Sequence, residues 1–148
     1  MNATDTKASL TLESNFQSVE VAEKFIHSVM HRFRVEDAET HRVEMAVRES
    51  VINAIQHGNR CDESKKVELE INLTPAKLTI YVRDEGQGFD PASIANPLEE
   101  NNILKTSGRG IFIIRSFMDE FSVRRRPNDG SEVMMVKRLS SNSNSNPR

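Results

Sequence analysis

The chain has 148 residues, 36% hydrophobic and 28% charged, with a formal net charge of −2 and a sequence pI near 6.1. That length and balance describe one folded domain rather than a disordered chain, and the slight acidity gives no electrostatic ground for binding nucleic acid. No apolar run approaches the roughly 18–20 residues that cross a bilayer and the N-terminus MNATDTKASL carries no signal-peptide pattern, so no membrane contact and a cytoplasmic location are expected.

Taken in order, residues 1–8 are expected to be flexible and 9–139 to form the domain. Leu10 and Leu12 alternate with polar neighbours over Ser9–Ser14, the pattern of a half-buried strand. Ser18 is a candidate N-cap for a helix whose apolar stripe is Ala22, Phe25, Ile26, Val29, Met30 and Phe33. A second helix is expected over Asp37–His57, with Val43, Val47, Val51, Ala54 and Ile55 on one side and Gly58 and Asn59 ending it. Val67, Leu69, Ile71 and Leu73, then Leu78, Ile80 and Val82, alternate on either side of Thr74–Lys77 and predict an antiparallel hairpin.

From Asp84 to Gly110 the sequence is rich in Gly, Asn, Pro and charge, which predicts a long functional loop with one short helix after Asp90 and Pro91. Ile111–Met118 reads as a buried helix, and Phe121–Arg126 and Glu132–Arg138 as a final hairpin about Asn128, Asp129 and Gly130. SSNSNSNPR, from residue 140, has no apolar anchor and is expected to be a disordered tail. This order predicts an α+β fold, a two-layer sandwich in which helices cover one face of a mixed, mainly antiparallel sheet. Arg124, Arg125 and Arg126, close to Asp119 and Glu120, read as a solvated charged face, and Cys61, the one cysteine, as a plain structural or surface residue.

Glu49 and Asn53 lie four apart on the second helix and so project from one face. They either line a solvated face or form a site: the Asn53 amide oxygen suits magnesium, which prefers oxygen ligands and shares them with phosphates, while Glu49 could accept a proton. Asp84, directly after a strand and followed by Gly86 and Gly88, is either part of a surface turn or a carboxylate placed to accept a hydrogen bond from an exocyclic amine such as that of adenine. In KTSGRGIFII, Gly108 and Gly110 precede an apolar helix whose free N–H groups favour phosphate. Thr106 and Ser107 add hydroxyl donors there, and Lys105 and Arg109 are each either a phosphate contact or an exposed cation. Neither a Walker A loop nor a GxGxxG fingerprint is present. His57, at the end of its helix, reads as a partner of the helix dipole.

Together, ESVINAIQHGN, DEGQGFDP and SGRGIFIIRSFMDEF resemble, in order, the N, G1 and G2 boxes of the GHKL (Bergerat-fold) ATPases, and the likeness spans about Ser9–Leu139. The short length and the MDEF that follows the third motif are similar to the bacterial anti-sigma-factor serine kinases. The resemblance implies ATP and Mg2+ as ligands, with Asn53 on the metal and Glu49 as general base. It also implies that Asp84 reads adenine, that Gly86 and Gly88 shape the base pocket, and that Gly108 and Gly110 bracket the triphosphate beneath a lid of about Asn96–Ser107. Implied partners are an anti-anti-sigma protein of the STAS class, a sigma factor and a second copy in a homodimer. Members of that branch can carry an arginine two residues before the first glycine of the third motif, where this chain has Thr106. That departure supports an alternative, a partner-switching module that binds ATP with little or no kinase activity.

Overall fold

The computed structural model describes residues 5–86, 108–127 and 129–139. Strands β1 (Thr6–Glu13), β2 (Lys66–Leu73), β3 (Lys77–Arg83), β4 (Glu120–Arg125) and β5 (Ser131–Arg138) form one sheet in the order β1-β2-β3-β5-β4. Helices α1 (Gln17–Arg32), α2 (Asp37–Asn53) and α3 (Gly108–Phe117) are the α-helices among the described residues. Each adjacent pair of strands is antiparallel, so the sheet expected to be mixed is antiparallel throughout the described residues.

The predicted alternation builds the core directly. Val67, Leu69, Ile71 and Leu73 of β2 and Leu78, Ile80 and Val82 of β3 point to one face and are almost fully buried. They share a cluster with Ala22, Ile26 and Met30 of α1 and with Val43, Val47 and Val51 of α2. Burying side chains of this size is worth about 1.5–3 kcal/mol each, the main force holding the helical layer on the sheet. α3 contributes Ile111 and Ile114 to the buried side but leaves Phe112 exposed, so the helix expected to be buried is buried along one stripe only.

The strand expected over Ser9–Ser14 starts earlier, at Thr6, because Thr6–Ala8 pair with Leu73–Ile71; backbone pairing does not require the apolar alternation that begins at Leu10. Ser18 is not an N-cap. α1 starts at Gln17, the Ser18 N–H is instead received by the Asn15 side chain at 3.3 Å, and Ser18 is itself buried. The helix expected to run from Asp37 to His57 is regular only to Asn53. Ala54–Gly58 is a wider π-helical turn, closed by a 2.8 Å hydrogen bond from the Asn59 N–H to the Ala54 carbonyl. The loop expected over Asp84–Gly110 ends sooner than that, because Gly108–Gly110 form the first turn of α3, which starts three residues before the expected Ile111; residues 87–107, with the lid and short helix expected there, and the tail from residue 140 lie outside the described residues.

The opposite face of the sheet carries an ionic ladder crossing all five strands. Lys7 meets Glu70, Arg83 meets Glu70 at 2.8 Å and Glu132 at 2.6 Å, and Arg124 meets Glu132 at 2.6 Å. Burial works to raise the Glu132 pKa, but hydrogen bonds and charge from Arg83 and Arg124 outweigh it and hold the carboxyl below its ordinary range. A depressed folded-state value stabilises the fold at neutral pH, and this contribution is lost as pH falls through that value. Glu132→Gln is therefore expected to lower stability near pH 7 by about 2–3 kcal/mol, between the limits for surface and buried pairs. Thermal melts should show the gap to the parent closing on acidification; a gap independent of pH contradicts the ionic origin.

Candidate functional site

Glu49 and Asn53 occupy the final turns of α2, the first half-buried and the second 8% exposed. Gly108, Arg109 and Gly110 are the first residues of α3, which packs against α2. A Cβ on Gly110 would stand 2.8 Å from Glu49 Oε1 and 3.6 Å from Asn53 Nδ2. The missing side chain thus lets the first turn of α3, with the unpaired N–H groups every helix start carries, settle on the two polar residues of α2.

Asp84 follows β3 and is 3% exposed. Its N–H donates to the Ser131 carbonyl, its Oδ1 accepts the N–H groups of Gly86 and Ser131, both at 3.1 Å, and its carbonyl accepts Arg126 Nη1 at 2.7 Å. Oδ2 lies over Gly58, where a Cβ would approach it to 2.4 Å. Burial raises the Asp84 pKa; the Ser131 and Gly86 hydrogen bonds and the charges of Arg126 and Lys65 oppose this without cancelling it. Gly86 sits so close to the π turn that a Cβ there would fall 1.6 Å from the Gly58 carbonyl oxygen.

One cavity joins the two halves. It is lined by Ser50, Asn53 and Ala54 on one side, Asp84 and Val82 on another, and Ile111, Ile114, Phe121, Val123 and Val133 around them. A mostly apolar recess with a few convergent polar groups is the usual form of a site for a flat organic ligand. The structure therefore brings Glu49, Asn53, Asp84, Gly86 and Gly110 into one region. Gly88, Lys105, Thr106 and Ser107 lie outside the described residues.

Three participants were not legible in advance. Ser131 and Arg126 hold Asp84 from the final hairpin, and Asn59 holds the next residue by accepting the Glu85 N–H at 2.8 Å. In the arginine run expected to be a solvated face, Arg124 is largely exposed and binds Glu132, and Arg126 binds the Asp84 carbonyl. His57 lies in the π turn with its Nε2 buried and burial lowering its pKa, which favours the neutral ring over the charged dipole partner expected. Cys61 is exposed.

Among the described residues no cluster of three His, Cys, Asp or Glu could hold a metal. A divalent cation here would draw on the Asn53 amide oxygen and on oxygens of its ligand, a division that suits magnesium with a phosphate ester. The buried acceptor at Asp84 and the apolar walls are groups suited to an adenine base, but the recess between them, about 10 Å³, holds little more than one water, so a base would have to spread its walls or lie across its mouth.

The model of the histidine kinase-like ATPase domain matches residues 12–137. An anti-sigma F factor of Clostridium perfringens is 36% identical over 99 residues, covering 66% of this chain and 71% of that protein. One from Oceanobacillus iheyensis is 37% identical over 100 residues, covering 66% and 68%. Among solved structures, the RsbU and RsbW domains of a Mycobacterium tuberculosis protein superpose with a TM-score of 0.67 at 14% identity, over 90% of this chain and 32% of that longer one. The nucleotide-free catalytic domain of the histidine kinase ThkA gives 0.60 at 13% identity, over 92% and 97%. At such identities the structural likeness speaks for the fold. Among the described residues, no helix is long and apolar enough to cross a membrane.

Proposed function

This chain belongs to the histidine kinase-like ATPase domain family, in the branch of the anti-sigma F factors, and from that premise we propose that it is a cytoplasmic anti-sigma factor with ATP-dependent serine kinase activity. Its proposed protein substrate is an anti-anti-sigma protein of the STAS class, and its second partner a sigma factor. The homodimer implied by the resemblance is part of the same proposal. The observation that supports nucleotide binding is the recess lined by both Asn53 and Asp84, with Gly110 packed on Glu49 next to Asn53.

In this reading the Asp84 carboxylate accepts the exocyclic amine of adenine, and Gly86 and Gly88 let the backbone approach the base. Asn53 offers its amide oxygen to magnesium, which when bound neutralises phosphate charge. Gly108, Gly110 and the N–H groups opening α3 receive phosphate oxygens, with Lys105, Thr106, Ser107 and Arg109 as further phosphate contacts. Glu49 takes the proton of the incoming serine hydroxyl as its oxygen bonds to the γ-phosphorus; the bond to the bridging oxygen breaks and ADP leaves.

Incubating the purified chain with γ-labelled ATP and a STAS partner is expected to yield phosphoserine on that partner. Glu49→Gln should retain ATP affinity within about threefold while transfer falls roughly 10²–10⁴-fold, the usual share of a general base. Full transfer by the variant removes Glu49 from that role. The alternative, a binding switch, is favoured by Thr106 in the place of an arginine. It predicts nucleotide-dependent partner capture in the same mixture without phosphoserine.

A further inference from the structure

We propose that Asn59 is a positioning residue for base recognition, holding the Asp84–Gly86 segment in the orientation that presents the Asp84 carboxylate to the purine. The proposal rests on the reading of Asp84 as the acceptor of the adenine amine.

Asn59 follows the π turn and is 1% exposed. Its amide binds three separate segments. Nδ2 donates to Ser14 Oγ at 2.8 Å, just beyond β1, and to the Lys66 carbonyl at 3.1 Å, at the start of β2; Oδ1 accepts the Glu85 N–H at 2.8 Å. The surroundings close the network: Ser14 Oγ donates to the Lys65 carbonyl, and the Lys66 N–H donates to Glu85 Oε1 at 2.8 Å. Both donors and the acceptor of one buried side chain are therefore used, each on backbone or side chain distant in sequence.

The Glu85 N–H is the decisive contact. Asp84 Oδ1 is fixed by the N–H groups of Gly86 and Ser131. The peptide between Asp84 and Glu85 is fixed by Asn59 on its N–H side and by Arg126 on its carbonyl side. Without Asn59 the Glu85 N–H loses its acceptor, and the peptide gains by turning that donor toward water. That rotation draws the Gly86 N–H away from Oδ1 and frees the carboxylate to swing.

A second observation is independent of these bonds. Arg60 and Cys61, directly after Asn59, have φ of +54° and +58°, a conformation that costs a non-glycine residue about 1–3 kcal/mol and persists only where the surroundings enforce it. Both are exposed, so no burial of their own side chains compensates. The chain reverses through them while the Cys61 N–H bonds the Ile55 carbonyl and the Asp62 N–H bonds the Asn59 carbonyl. The strained reversal keeps residue 59 at the junction of β1, β2 and the segment after β3.

The test compares ATP with purine riboside 5′-triphosphate, which lacks the 6-amino group, by calorimetry on the parent chain, Asn59→Ala, Asn59→Ser and Ser14→Ala. The parent is expected to prefer ATP by roughly 10- to 100-fold, the value of a hydrogen bond to a charged acceptor. Asn59→Ala should bind the analogue nearly as the parent does yet prefer ATP by no more than about threefold. Asn59→Ser, whose hydroxyl is too short to reach all three partners, gives the same readout if the alanine variant does not fold. Ser14→Ala, which leaves the Lys66 and Glu85 bonds in place, should keep the parent's preference. A merely structural role for Asn59 weakens both nucleotides equally; a preserved ATP preference in the Asn59 variants overturns the proposal. A parent that binds both nucleotides equally overturns it together with the reading of Asp84, and is told apart by the parent's own ratio.

Discussion

A Gly86→Ala chain is expected to lose nucleotide binding and to melt about 10 °C or more below the parent. The Cβ it introduces would lie 1.6 Å from the Gly58 carbonyl oxygen and 2.4 Å from its carbon. The obstacle is backbone of the π turn, not the end of a side chain that can rotate away. Either the Gly58 peptide or the segment after β3 has to move by more than 1 Å on the order of an overpacking cost of 3 kcal/mol or more. Movement on either side carries the site with it, because Gly58 underlies Asp84 Oδ2 and the Gly86 N–H binds Asp84 Oδ1. Calorimetry with ATP and a thermal melt on the same sample check both parts. A variant that binds ATP as the parent does shows that the two segments are not held in this contact.

The second large effect is expected for Asn53→Ala, with magnesium-dependent ATP affinity reduced by about 100-fold or more, or about 2.7 kcal/mol. Asn53 closes the regular part of α2, and alanine is the better helix former there, so the fold should be retained. What disappears is the Asn53 amide, whose nitrogen lies beside Gly110 and whose oxygen is the proposed metal ligand, and for which no carboxylate cluster among the described residues can substitute. Titrations with and without magnesium separate the two contributions. Parent and variant should converge when the metal is withheld, and magnesium-dependent binding unchanged by the substitution removes Asn53 from the metal site.

The fold was legible wherever burial follows a simple period. β2 alternates half-buried and buried residues along its whole length, and Val43, Val47 and Val51 place the inner side of α2 as the 3.6-residue period predicts. It was less legible where backbone pairing or a distant side chain decides. Thr6 and Lys7 join β1 through bonds to β2 that no apolar pattern announces. The regular helix stops at Asn53, not His57, and Asn59, which closes the widened turn, is anchored by groups up to 45 residues away. The same division runs through the site. Glu49 and Asn53 stand out as polar groups among apolar neighbours on one helix face, and Asp84 by its place directly after a strand and before Gly86 and Gly88. Asn59 looked like an ordinary helix stop and Arg126 like one cation in a run, because their partners are 26 and 42 positions away.

The π turn also sets how this stretch can change length. Ala54–Gly58 holds one residue more per hydrogen-bonded ring than the helix before it. A single deletion inside it can restore α-helical closure and leave the residues beyond nearly in phase, because five residues of the wide turn sweep about the same angle as four of an α-helix. A deletion in the regular part of α2 instead rotates every side chain beyond it by about 100°, turning residues 58 and 59 away from β2 and Asp84. The tip between β2 and β3, where Thr74 and Lys77 close a small exposed turn, is tied to the end of β5 by the Leu139 N–H on the Ala76 carbonyl but to none of the site residues, so a change of length there leaves the site in place. Length changes compatible with a working site are thus confined to such tips and to the wide turn, which holds the one residue the helix can lose without turning Asn59 out of place.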